Sequence, residues 1–257
     1  MLVELIRKIK SYIFLFFHNP FIFAKRVKIR IIHILEKEKA AIYQRLSADG
    51  IACSPTEVSF CVTKRCNLRC PMCGQWGKNG VYKDQLPSKI SEDEVPLQVL
   101  NKVIDEVARF KPLISVWGGE PFLRKDLIEF LGHIKNRDMS CSIITNGTLV
   151  GEYAEQIVNL GIDCLIYSID GPENIHDAIR GKNSFKKATE SIKQINSIKK
   201  KLGKKHPILQ INTVILESTY TNLEKMIEIA TELEVNIVSF VHAWFITRET
   251  GIKHSNV

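Results

Sequence analysis

The chain has 257 residues, of which 45% are apolar and 25% charged, an ordinary balance for a soluble globular protein carrying one α/β domain and a short extension. The formal net charge is +8, and residues 1–50 hold ten Lys/Arg against four Asp/Glu, so six of the eight charges sit there. The basic balance therefore belongs to an N-terminal extension and says little about an active site.

Residues 1–46 read as mainly helical with a break at Asn19-Pro20. The apolar stretch Tyr12–Ala24 contains His18, Asn19 and Pro20 and lacks a small-residue cleavage site, so it does not read as a secretory signal. It is also short for a bilayer span. Ile13–Phe17 and Phe21–Phe23 lie beside Lys25, Arg26, Lys28 and Arg30. That pattern suits a helix lying on an anionic membrane surface, and equally a cover for the open side or bottom of the following domain. With large aliphatic residues among the bases and no recognition module, no nucleic-acid partner is expected. The expected location is cytoplasmic, peripheral to a membrane if the extension binds one. Asp49-Gly50 and Ser54-Pro55 mark a linker, giving an extension over residues 1–50 and a domain over 51–257.

From residue 58 strand-like and helix-like segments alternate. The first strand is Val58–Thr63, and Ser91–Phe110 is a helix opened by a capping box of Ser91 and Glu94. Leu113–Trp117 is followed by helix Asp126–Arg137, and Cys141–Thr145 by the turn Asn146-Gly147 and helix Gly151–Leu160. Asp163–Ile169 ends at Asp170-Gly171-Pro172, before the long helix Ser184–Leu202. Ile208–Leu216, helix Asn222–Leu233 and strand Val235–Phe240 complete the series. Six such units predict an α/β fold with a parallel sheet and right-handed crossovers, an open, partial TIM-like barrel. After the sixth strand, residues 247–257 are polar and show no sixth helix, so either a longer protein or an unusually short barrel is expected.

Seven cysteines are present, and three fall within eight residues: Cys66-Asn67-Leu68-Arg69-Cys70-Pro71-Met72-Cys73. An odd count with such clustering favours metal ligation over disulfides. The motif lies in the first βα loop, at the barrel mouth where active sites collect. A structural zinc site wants four ligands, commonly two separated pairs, and no second pair occurs. A ferredoxin needs a fourth cysteine, and Cys61 gives a spacing that no ferredoxin uses. Cys53, Cys61, Cys141 and Cys164 read as ordinary buried thiols, and Trp76 and Trp117 as packing residues.

A C-x3-C-x2-C loop after the first strand of a six-unit barrel resembles the signature of the radical S-adenosylmethionine (SAM) superfamily, over about residues 56–246. The resemblance is closest to the branch of molybdenum-cofactor and peptide-modifying maturases. It implies a [4Fe–4S] cluster on Cys66, Cys70 and Cys73, with SAM chelating the fourth iron. Reductive cleavage of SAM would then give a 5′-deoxyadenosyl radical that abstracts hydrogen from a peptide or small-molecule substrate. Gly118, Gly119, Glu120 and Pro121 resemble the family's glycine-rich motif, whose backbone and Glu120 would hold the SAM amino group. Asn146 follows the third strand where a polar residue faces SAM, Ser168 and Asp170 resemble positions meeting its ribose or methionine part, and Arg180 resembles an arginine pairing with its carboxylate. No catalytic residue beyond cluster and SAM is assigned. An electron donor such as flavodoxin or ferredoxin is implied. Many members of the branch carry a C-terminal extension with further cysteines, and none follows Cys164 here. Two other classes compete: an iron–sulfur electron-transfer or cluster-carrier protein, and a membrane-surface adaptor on a degenerate barrel. A carrier has no need of the Gly-Gly-Glu-Pro, Ser168–Asp170 and Arg180 elements, and three intact cysteines argue against degeneracy.

Overall fold

The computed structural model describes residues 54–78, 80–85 and 93–243. Six strands, β1 (Glu57–Thr63), β2 (Leu113–Gly118), β3 (Cys141–Thr145), β4 (Cys164–Ser168), β5 (Ile208–Ile215) and β6 (Ile237–His242), form one sheet in the order 1-2-3-4-5-6. Every neighbouring pair is parallel. Parallel neighbours cannot be joined by a hairpin, so a helical crossover separates each pair. The helices are α1 (Leu97–Val107), α2 (Leu127–Asn136), α3 (Ala154–Leu160), α4 (Glu173–Arg180), α5 (Ser184–Leu202) and α6 (Leu223–Glu232). β1 and β6 are the two edges and do not pair with each other, so the barrel is open, as the six-unit count predicts.

Side chains alternate across the strands. On β4, Leu165 and Tyr167 are fully buried, and the Tyr167 hydroxyl accepts a hydrogen bond from Ser191 of α5 at 3.3 Å. That face packs on the helices. Cys164, Ile166 and Ser168 point the other way, into the lumen, and are only partly buried. The apolar core lies on the helix side, where Ile104, Phe130, Ile143, Ile192 and Ile211 have no exposed surface. On the lumen side the register sets Ser59, Ser115, Ser142 and Cys164 side by side across four strands.

Two expectations need correction. The helix predicted from Ser91 begins at Leu97, with Pro96 as its N-cap residue. A residue before proline is pushed out of the helical region, which delays the start. Glu94 is no capping-box partner: its carboxylate accepts from Arg65 Nε at 2.7 Å and also from the Thr63 hydroxyl. Ser91 lies outside the described residues. Secondly, Glu173–Arg180 is a helix in its own right, and His176 and Asp177 sit within it. The Asp177 carboxylate caps the start of α5, accepting from Asn183 N at 2.6 Å and Phe185 N at 2.9 Å. The extension over residues 1–50 and the polar tail from Thr247 lie outside the described residues.

Candidate functional site

The strand ends on one side of the sheet surround a cavity of about 400 Å³ lined by Cys66, Cys70 and Cys73. The cysteine loop is pinned on several sides. Trp76 is buried, as expected of a packing residue, and its indole N–H donates to Lys64 O at 2.7 Å. The Arg69 guanidinium stacks 4.1 Å from the Trp76 ring and donates to Cys66 O at 2.7 Å. Between the first two cysteines, Asn67 donates to the Thr148 hydroxyl and accepts from Asn146 Nδ2, both at 2.9 Å, which latches the loop to the end of β3. The sequence offered one signal for this latch, an asparagine inside the motif, and nothing in it named the partners.

Backbone N–H groups point at the sulfurs: Leu68 N at Cys66, and Gln75 N and Trp76 N at Cys73, each at 3.4 Å. Burial pushes the Cys66 thiol up to about 11. Burial also raises Cys70, with Arg180 pulling the other way. Such thiols ionise when cationic iron supplies the missing charge. Among the described residues, no three His, Cys, Asp or Glu side chains close round a single metal ion. The donor set fits a cubane instead: its irons sit at separate corners, so its thiolates need not converge on one point, and three sulfurs leave one iron open. Cys61 does not line the cavity.

Gly118 and Gly119 also line it, and their place is set by the cysteine loop. Gly119 N donates to Thr63 O at 2.8 Å and Glu120 N to Arg65 O at 2.7 Å. A Cβ on Gly118 would collide with Thr63 O, and one on Gly119 with Arg65 O. Both contacts are backbone, which cannot swing aside. Gly119→Ala is therefore expected to destabilise the chain by about 1–3 kcal/mol, read as a lower urea midpoint, and to reduce iron uptake by displacing the residue before Cys66.

Asn146, Ser168 and Arg180 line the same cavity as the cysteines, whereas Glu120, Pro121 and Asp170 are buried outside its lining. Asp170 accepts from Arg180 Nε at 2.6 Å and from Val214 N at 3.0 Å, fixing the guanidinium against the end of β5. His176, with no exposed surface, accepts the Asp170 N–H on Nδ1 at 3.2 Å. Burial and the nearby Arg180 charge lower it to about 4, so the ring is neutral. Trp117, expected to pack, is 36% exposed and lines the cavity, because alternation along β2 turns it to the lumen.

Glu120 has no exposed surface. It accepts from Thr145 Oγ1 and Asn146 N, each at 2.8 Å, and from Phe122 N at 3.2 Å. Burial raises its carboxyl to about 7 despite those donors. A raised folded-state value means that the folded chain holds a proton the unfolded chain has released. Glu120 thus contributes about 3 kcal/mol of stability near pH 4.5 that is lost as the pH rises through 7. Glu120→Gln is expected to remove that dependence. Urea unfolding of the metal-free chain at pH 5 and pH 8 checks it: the stability difference between wild type and variant should change with pH, and a constant difference contradicts the shift.

A family model described as the radical SAM superfamily matches residues 60–230. The chain belongs to the radical SAM superfamily. Its cofactors, a [4Fe–4S] cluster and SAM, follow from that membership. The radical SAM chain is 29% identical over 167 residues to an Fe-coproporphyrin III synthase of Methanosarcina barkeri, covering 64% of this chain and 40% of that one. It is 28% identical over 201 residues to a probable GTP 3′,8-cyclase of Methanococcus maripaludis, covering 76% and 61%. It spans about half the length of such relatives. Among solved structures it is similar to Streptococcus suis SuiB bound to S-adenosylmethionine, with a TM-score of 0.63 at 16% identity over 90% of this chain and 48% of SuiB. It is also similar to anSMEcpe with bound AdoMet, with a TM-score of 0.57 at 20% identity over 73% and 52%. These likenesses show that the open barrel is the radical SAM fold. No helix of the described residues is long and apolar enough to cross a membrane.

Proposed function

We propose that this radical SAM chain is the core of an enzyme that cleaves SAM reductively and abstracts a hydrogen atom from a peptide or small-molecule substrate. The observation that carries the reading is the cavity shared by Cys66, Cys70, Cys73 and Arg180. When bound, cluster and SAM together supply the one-electron cleavage and the 5′-deoxyadenosyl radical. The chain's own residues bind and orient. Cys66, Cys70 and Cys73 would hold three of the cluster's irons. Arg180, aimed by Asp170, offers its guanidinium to the SAM carboxylate. The Gly118–Gly119 backbone, Asn146 and Ser168 present polar groups to the amino and ribose parts. Glu120 and Pro121 support them from behind, Glu120 by holding Thr145 and Asn146 and, once its proton is released, by lending negative charge towards the ammonium.

An electron donor of flavodoxin or ferredoxin type would feed the cluster in the cytoplasm. Residues 1–46 would rest on an anionic membrane surface, which salt-sensitive flotation with anionic vesicles tests. For the enzyme reading, anaerobically reconstituted protein should turn brown and release 5′-deoxyadenosine from SAM on addition of dithionite. A brown protein that leaves SAM intact is a cluster carrier.

A further inference from the structure

One wall of the lumen carries a set of polar side chains that neither cluster nor SAM calls for. Gln210 on β5 donates its Nε2 to Asn212 Oδ1 at 2.7 Å and to Ser239 Oγ of β6 at 3.2 Å. The register pairs Ser168 with Asn212 and Asn212 with Ser239 across three strands. All four lie on the lumen face, because Leu209, Ile211 and Thr213 between them are buried on the helix side. Val214 and Val241, next up the same face, line the cavity that holds the cysteines. The polar wall thus lies directly beneath that cavity.

Its hydrogen-bonding capacity is specific. With Gln210 Nε2 spent on two acceptors, Gln210 Oε1 remains an acceptor, while Asn212 Nδ2 and the Ser239 hydroxyl remain donors. Among the described residues none of these three groups has another hydrogen-bond partner. All three are partly accessible. From β2 to β6, every lumen-facing strand position is uncharged. Glu57 on the far edge strand β1 is the one charged lumen-facing strand position among the described residues. A charged group brought against β5 and β6 would lose hydration with no counter-charge on those strands, whereas a neutral group with adjoining donor and acceptor would have both satisfied.

We infer that Gln210, Asn212 and Ser239 are specificity-determining residues that bind an uncharged amide-type group, a carbonyl adjoining an N–H, of the substrate. The inference rests on the proposed hydrogen abstraction only in placing the substrate below the SAM-binding cavity. The same chemistry occurs in a peptide bond and in the imide edge of a nucleobase, and the experiment separates these sources.

Equilibrium dialysis of the anaerobically reconstituted full chain with saturating SAM would use three labelled probes: N-acetylglycine N-methylamide, uridine and butyrate, a carboxylate with no amide. Retention of either neutral probe over the carboxylate is the expected result, and the tighter one identifies the source. Gln210→Ala and Asn212→Ala should each weaken that probe about threefold to tenfold. Gln210→Glu keeps the side chain's shape, so its loss of the neutral probe at unchanged iron content shows a binding effect rather than misfolding. Equal retention of the carboxylate, no retention of any probe, or unchanged binding by all three variants overturns the inference. Assaying 5′-deoxyadenosine separately keeps the two readings apart: discrimination without SAM cleavage sinks the proposed activity alone, and cleavage without discrimination sinks this inference alone.

Discussion

Replacing Cys66, Cys70 or Cys73 with Ala is expected to abolish both the iron–sulfur absorbance and SAM cleavage, while Cys141→Ala and Cys164→Ala spare both. Each of the three sulfurs lines the cavity, and two receive backbone N–H groups that favour the ionised form. Losing one leaves two ligands for a cluster whose open iron already lacks a protein ligand. Cys141 is buried on β3 and Cys164 faces the far end of the lumen, so neither serves as a substitute. Cys61→Ala is the informative control. Its thiol sits on β1, where it donates to Thr63 O at 3.8 Å, and it stays outside the cavity. A cluster lost in that variant would mean a four-cysteine site, and SAM would have no iron to chelate. Iron content and visible absorbance after anaerobic reconstitution decide the matter.

Arg180→Ala is expected to weaken SAM binding about tenfold or more while iron content stays near normal. A charge-assisted contact to a carboxylate is worth about 1.5–3 kcal/mol, and about 1.4 kcal/mol is a factor of ten. Arg180 Nε is committed to Asp170, which leaves the outer nitrogens for a ligand. Lysine cannot do both at once, so Arg180→Lys should recover little of the affinity. Asp170→Ala should do further harm. It strands a guanidinium whose side chain is only 10% exposed, and breaking such a buried pair costs about 3–5 kcal/mol. Isothermal titration with SAM and urea unfolding separate the two effects. A loss of iron with unchanged SAM affinity in Arg180→Ala would contradict the assignment.

The parts legible in the sequence are those governed by local patterns. Strand positions follow from short β-branched runs, and the long helix Ser184–Leu202 was placed at its observed ends because its periodicity is sustained. The cysteine motif announced its own chemistry. What remained hidden depends on residues distant in the chain. Trp117 looked like packing until the register set it in the lumen. The donors that hold Glu120 come from Phe122, Thr145 and Asn146, and two of these belong to another strand end, which its place in the Gly-Gly-Glu-Pro motif does not disclose. The Gln210–Ser239 contact spans 29 residues, and only the pairing of β5 with β6 creates it. Helix α4 was missed because eight residues between a turn and a long helix give little periodicity to read.

The row of Ser59, Ser115, Ser142 and Cys164 bears on how this molecule tolerates change. In closed barrels, bulky branched side chains fill the interior and add cohesion. Along this row the side chains are small, so this layer of the sheet's inner face adds little apolar burial, and the larger Trp117, Ile144 and Ile166 come further up the same face. Selection for heat resistance would favour larger aliphatic residues along this row, each extra buried methylene adding about 0.8 kcal/mol. The same substitutions would plug the chamber. The most readily stabilised variants of this barrel should therefore be those with the least room left to admit a substrate.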